Sequence, residues 1–129
     1  MNKILIVEDE EPIANLVRMN LAKAGYECEV AYDGKSAADI LQENRYDLCI
    51  FDIMLPKING YELLEYAVSM DIPVIFLTAK GETRDKVKGL RAGAVDYITK
   101  LFEIIELLAR VENVLRLFGK AEHKLYRRF

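Results

Sequence analysis

Four short apolar stretches, each stopping on a polar side chain, constrain this chain more than any other feature. Ile4-Leu5-Ile6-Val7 runs into Glu8 and Asp9, and Leu48-Cys49-Ile50-Phe51 runs into Asp52. Val74-Ile75-Phe76-Leu77 runs into Thr78, and the shorter Tyr97-Ile98 runs into Thr99 and Lys100. Runs of this length, rich in Val, Ile and Phe and without alternation, read as strands covered on both faces of a parallel sheet. The stretches between them have helical spacing, so the pattern is a βα alternation repeated five times. That predicts a doubly wound α/β fold. In such an open sheet, ligands bind beyond the carboxyl ends of the strands, where strand order reverses. Glu8, Asp9, Asp52, Thr78 and Lys100 are therefore expected to meet at one edge.

The intervening segments fit this plan. Pro12 sits where a first helical turn tolerates proline, and Ile13, Leu16, Val17, Leu21 and Ala24 recur at helical spacing before Gly25 closes the helix. Cys28 and Val30 alternate with Glu27 and Glu29, the pattern of an edge strand. Asp33-Gly34 turns into a helix through Ala37, Ile40 and Leu41. After the Met54-Leu55-Pro56 loop, Gly60 opens another with Leu63, Leu64 and Ala67. Pro73 precedes the fourth strand. The fourth helix, which Thr83 can cap, has only Val87 and Leu90 as large apolar anchors, and its interior Gly89 costs about 1 kcal/mol against Ala. A helix so thinly anchored is expected to shift cheaply. The last helix, from about Glu103 to Phe118, has a wide core stripe of Ile104, Leu107, Leu108, Val111, Val114, Leu115 and Phe118. Glu106, Arg110, Asn113 and Leu117 fall on a different face.

Composition excludes several classes. A chain of 129 residues is one domain with room for a real core. The net charge of −3 argues against a nucleic-acid surface. The charge is uneven: Lys120, Lys124, Arg127 and Arg128 stand against Glu122 alone in the last ten residues, which marks a basic tail on an acidic body. No apolar run approaches the roughly 18 residues of a membrane span, and no signal peptide is visible, so a cytoplasmic protein without membrane contact is expected. Cys28 and Cys49 lack metal-ligand spacing and read as reduced, buried thiols. His123 lies in the polar tail with no partner motif.

Carboxylates, a hydroxyl and an ammonium at one sheet edge suit a magnesium and phosphoryl site. Mg²⁺ takes hard oxygen ligands. Phosphoryl transfer needs positioning and charge neutralisation, and an ionised carboxylate is already a nucleophile.

With these residues in order, the chain resembles the receiver domain of bacterial two-component response regulators over residues 1–118, leaving 119–129 as a basic linker or tail. The resemblance is carried by Ile-Val-Glu-Asp-Glu at 6–10, Asp-Ile-Met-Leu-Pro at 52–56 with Gly60, Leu-Thr-Ala at 77–79 and Asp-Tyr-Ile-Thr-Lys at 96–100. It implies a flavodoxin-like five-stranded parallel sheet in the order 2-1-3-4-5 with five helices, the strand order for which this family is a standard example. It also implies that Asp52 is the phospho-acceptor. Asp9 would bind Mg²⁺ (or Mn²⁺) directly and Glu8 mainly through water, with Asp52 and the Met54 backbone carbonyl completing the protein ligands. Lys100 would pair with the phosphoryl group, Thr78 would bond one of its oxygens, and Tyr97 would swing inward with it. Met54 and Lys80 would tune hydrolysis. The partner implied is a sensor histidine kinase. Such a domain catalyses only its own phosphorylation and dephosphorylation, and is not an enzyme in the usual sense.

Met-Leu-Pro after the acceptor and the Arg-Val-x-x-Val-Leu-Arg ending of the last helix resemble the branch that carries a C-terminal winged-helix DNA-binding domain, which is absent from this sequence. That branch dimerises through its fourth helix, fifth strand and fifth helix. Two of its cross-subunit pairs have matching positions, Lys86 with Glu106 and Asp96 with Arg110, whereas Val95 and Leu117 occupy the positions of a third. DNA contact and transcriptional output are then expected only through the missing domain. One departure stands out: Leu101 follows Lys100 where the family has proline joined by a cis bond. A cis bond before Leu costs about 2.5–4 kcal/mol against about 0.5–1 before Pro. Either the fold holds that bond or the loop turns trans and displaces Lys100. The second alternative leaves open a degenerate receiver that acts as a phosphorylation-independent binding module. A phosphohydrolase built on an aspartyl-phosphate would need Asp-x-Asp, and Asp52-Ile53-Met54 lacks the second carboxylate. A flavin carrier would need a phosphate loop where Glu8-Asp9-Glu10-Glu11 stands.

Overall fold

The computed structural model describes residues 2–55, 57–78, 83–100 and 102–119, with Thr78 and residues 83–86 described in their backbone only. Strands β1 (Lys3–Val7), β2 (Glu27–Ala31), β3 (Leu48–Asp52), β4 (Val74–Thr78) and β5 (Asp96–Thr99) alternate with helices α1 (Glu11–Lys23), α2 (Gly34–Glu43), α3 (Gly60–Ser69), α4 (Thr83–Ala92) and α5 (Ile104–Leu117). All strands are parallel, in the order β2-β1-β3-β4-β5. The chain steps outward from β1 to β2, then returns across β1 to β3. This puts the topological switch between β1 and β3, so the ends of those two strands face the crevice where ligands bind.

Strand alternation divides the core in two. Ile4, Ile6, Leu48, Ile50, Ile75, Leu77 and Ile98 meet Val17 and Leu21 of α1 and Leu107, Val111, Val114 and Leu115 of α5. Leu5, Val7, Cys49, Phe51, Val74 and Phe76 meet the opposite layer, built from Ala37 and Leu41 of α2 and Leu63, Leu64 and Ala67 of α3. By the same alternation Glu8 and Asp52 lie on the α1/α5 side of the sheet. Cys49 is buried and Cys28 only half-buried on the edge strand. Burial raises both thiols, Cys28 to about 11, so neither is a ready nucleophile.

Helix boundaries follow local chemistry. Gly25 takes φ +101 after the C-cap of α1, a conformation that favours glycine. Asp33 and Asn59 cap α2 and α3 through bonds from Ser36 N and Glu62 N. Three expectations need correction. Leu16 is 47% exposed and Ala24 is also exposed, so α1 rests on Ala14, Val17 and Leu21. Phe118 is 47% exposed and caps α5 rather than ending its core stripe. In α4, Thr83 belongs to the helix itself, and Val87 and Leu90 are 43% and 42% exposed. Among the described side-chain positions of α4 the buried one is Gly89, where an added Cβ would lie 2.7 Å from the Phe76 ring. The glycine that weakens the helix is what lets it approach the sheet. Among the described residues no helix is long and apolar enough to cross a membrane.

Candidate functional site

Glu8 and Asp52 are the buried charges at the β1/β3 crevice, 0% and 2% exposed. Each is held by the chain just beyond its strand. Glu8 Oε2 accepts from Glu10 N at 2.9 Å, and Asp52 Oδ1 accepts from Met54 N at 3.0 Å. The Asp52 side is further fixed by Gly60, whose N–H donates to Ile53 O at 3.0 Å. A Cβ on Gly60 would lie 2.8 Å from both Asp52 O and Ile53 Cα. Any side chain there would push α3 away from the acceptor loop.

Lys100 reaches over β4 into the crevice. Its Nζ lies 2.8 Å from Asp52 Oδ2, 2.8 Å from Glu10 Oε1 and 3.3 Å from Glu8 Oε1. The carboxylate oxygens of Glu8, Asp9, Glu10 and Asp52 come within 4.8 Å of one another. The sequence expectation that Glu8, Asp9, Asp52 and Lys100 converge is met by this geometry. Glu10 was given no role by the sequence. The available signal was a third acidic residue after β1, within reach of the same ammonium.

Burial dominates the electrostatics of the crevice. Burial, with the nearby Asp52 charge adding to it, pushes the Glu8 carboxyl up to about 7, against the Glu10 N–H and Lys100. Burial also raises the Asp52 carboxyl, opposed by its hydrogen bonds from Lys100 and Met54. Burial works against the Lys100 ammonium, but its bonds to Asp52 and Glu10 and the charges of Asp52 and Glu8 outweigh it, so its pKa is raised. Glu8 Oε1 is buried and accepts no hydrogen bond, its approach to Lys100 being poorly aligned. A buried carboxylate oxygen without a donor, among three other carboxylates, is a donor set that fits a hard divalent cation such as Mg²⁺.

The remaining expected residues divide. Tyr97 is half-buried on edge strand β5 and packs against the cluster that contains Phe76. The Met54 side chain is 75% exposed. Asp96, Glu106 and Arg110 share one face, but they pair within this chain: Arg110 Nη1 lies 3.0 Å from both Asp96 oxygens, and Nε lies 3.1 Å from Glu106 Oε2. Lys80, Leu101 and the side chains of Thr78 and Lys86 lie outside the described residues, as does the isomer of the Lys100–Leu101 peptide. A concavity of about 220 Å³ between Arg45, Tyr46, Met70, Asp71 and Ile72 lies at the opposite edge of the sheet. The site is an acidic crevice in which buried Glu8 and Asp52 meet the more exposed Asp9 and Glu10.

Comparison with known proteins bears on the family and the fold. The family model for the response regulator receiver domain matches residues 4–112. The response regulator ArlR of Staphylococcus saprophyticus is 46% identical over 117 residues, which cover 90% of this chain and 53% of ArlR. The chain thus spans about half the length of that relative. Among solved structures, the receiver domain of the Francisella response regulator 1452 is 36% identical with a TM-score of 0.81, covering 88% of this chain and 96% of its own. A CheY-like receiver domain protein from Methanospirillum hungatei is 31% identical with a TM-score of 0.87, covering 93% of this chain and 98% of its own.

Proposed function

This chain belongs to the response regulator receiver family, the signalling modules of two-component systems, and from that premise we propose that Asp52 accepts a phosphoryl group in a Mg²⁺-dependent reaction. The donor is a phosphohistidine on a sensor histidine kinase. The observation that carries the reading is a buried Asp52 paired with Lys100 at 2.8 Å, beside a Glu8 oxygen that lacks a donor. An Asp52 carboxylate oxygen bonds to phosphorus as the bond from phosphorus to the imidazole nitrogen breaks, its electron pair leaving with the imidazole. Lys100 faces the charge on the transferring oxygens, and the strand ends hold the nucleophile still. Asp9, Glu8, Asp52 and the Met54 carbonyl would hold Mg²⁺, which when bound neutralises phosphoryl charge.

Residues 1–118 act as the receiver and 119–129 as a basic linker. Thr78 takes a phosphoryl oxygen and Tyr97 follows it, repacking the α4/β5/α5 face. Met54 and Lys80 tune the lifetime of the modified state. The output is homodimerisation through that face and, through a C-terminal DNA-binding domain, control of transcription in the cytoplasm. The test is intact mass after incubation with Mg²⁺ and acetyl phosphate. One phosphoryl group should appear, require Mg²⁺, and vanish in Asp52→Asn; an undiminished gain in that variant refutes the assignment.

A further inference from the structure

Glu10 stands at the N-cap of α1, yet its side chain takes no hydrogen bond from the helix it caps. A carboxylate at this position ordinarily satisfies the free N–H groups of the first turn. Here Oε1 lies 2.8 Å from Lys100 Nζ instead, while the Glu10 N–H is held by Glu8 at 2.9 Å. Backbone and side chain are both tied to the crevice.

The Lys100 ammonium has three N–H donors and three carboxylates around it. Asp52 and Glu10 lie at 2.8 Å and Glu8 at 3.3 Å. Exposure separates the three: the side chains of Glu8 and Asp52 are 0% and 3% exposed, that of Glu10 57%. A phosphoryl group on Asp52 brings new acceptor oxygens, and one existing partner must yield. Glu8 would lose the ammonium where water does not reach it, keeping the Glu10 N–H, whereas water can take over Glu10.

We propose that Glu10 is a positioning residue that acts through Lys100: it shares the ammonium with Asp52 in the unmodified protein, competes for it with the incoming phosphoryl oxygens, and is displaced by them. The inference rests on Asp52 being the acceptor. Two consequences have the same sign. The Glu10–Lys100 pair must part before Lys100 can face the phosphoryl oxygens, and the Glu10 charge stands at the open side of the site, toward an anionic donor. With acetyl phosphate, an Asp52 oxygen bonds to phosphorus as the bridging P–O bond breaks and its electron pair leaves on acetate. Neutralising Glu10 should speed that step. A Glu10 that served chiefly as a metal ligand would have the opposite effect.

The experiment compares initial phosphorylation rates of wild type, Glu10→Gln and Glu11→Gln with acetyl phosphate at saturating Mg²⁺, read by intact mass at low and high ionic strength. Glu11→Gln removes the same charge one residue away, on the exposed first turn of α1. Glu10→Gln should be about three-fold faster at low salt, the scale of one exposed ion pair. The gain should shrink at high salt, and Glu11→Gln should match wild type. A Glu10→Gln variant as slow as wild type or slower overturns the inference, as does a Glu11→Gln variant with the same gain. Wild-type protein that takes no phosphoryl group overturns the reading of Asp52 and this inference together; a phosphorylated wild type with an unaccelerated Glu10→Gln overturns the inference alone.

Discussion

The acidic crevice and the α4/β5/α5 face belong to the same sheet but are held in different ways. At the crevice, Glu8 and Asp52 extend strands whose residues are almost all buried, and Gly60 locks the acceptor loop against α3 at backbone contact. At the other face, Val87, Leu90 and Leu117 are 43%, 42% and 69% exposed, and Asp96, Glu106 and Arg110 form a partly solvated ion cluster. Few buried apolar contacts mean a low cost of local rearrangement. Under the function proposed above, the contrast would give fixed charges to the chemistry and a surface that moves for little free energy to the output.

The largest expected effect tests the rigidity of the crevice. Burial, with the Asp52 charge adding to it, pushes the Glu8 carboxyl up to about 7 from the usual 4.5. Such a group binds more protons folded than unfolded, so stability of the metal-free protein should fall as pH rises from about 4.5 through 7. The loss is of order 3 kcal/mol at about 1.4 kcal/mol per unit. Raised Asp52 acts in the same direction. Urea unfolding at pH 5 and pH 8 reads the difference, and Glu8→Gln should remove most of it. Mg²⁺, which binds ionised carboxylates, should stabilise more at pH 8 than at pH 6. A flat pH profile for wild type would mean that the crevice relaxes freely.

Two glycines sharpen the contrast. Gly60→Ala drives a Cβ into backbone on both sides and should cost roughly 1–3 kcal/mol. Among the described residues Gly89→Ala meets only the Phe76 ring, and the helix gains about 1 kcal/mol of propensity. Since α4 is thinly anchored it can shift outward, so the net change in urea midpoint should be smaller than for Gly60→Ala. Equal losses would show α4 to be as firmly seated as α3.

The smallest stability effect is at Arg110. Its pairs with Asp96 and Glu106 form within one chain. A dimer that used Asp96 and Arg110 across its axis would exchange one pair for another, at a net gain of about 0–1 kcal/mol. These charges would then set orientation more than affinity. Sedimentation with and without beryllofluoride should show self-association that tightens with the phosphoryl mimic in wild type and is lost in Arg110→Glu, while the monomer stability of that variant changes little. A variant that dimerises like wild type would place the interface elsewhere.

The sequence by itself determined the βα alternation, the strand order implied by the family resemblance, and the meeting of Glu8, Asp9, Asp52 and Lys100. The strand order rests on the resemblance, while the alternation and the meeting follow from period and position: a residue just past a buried parallel strand lies at the carboxyl edge whatever packs around it. Gly60 was also legible as a motif residue, although its reason, backbone contact with Asp52 and Ile53, was not. What tertiary structure decided depends on where long side chains go once several partners compete. Glu10 turns from its helix to Lys100 because the half-buried ammonium attracts it more than the solvated first turn does. Arg110 closes on Asp96 and Glu106 of its own chain. Helix α4 meets the sheet through Gly89, leaving Val87 and Leu90 half in water, because Phe76 fills the space a larger residue would need. A pattern of residue types carries periodicity but not the distance between elements, and that distance selected these contacts.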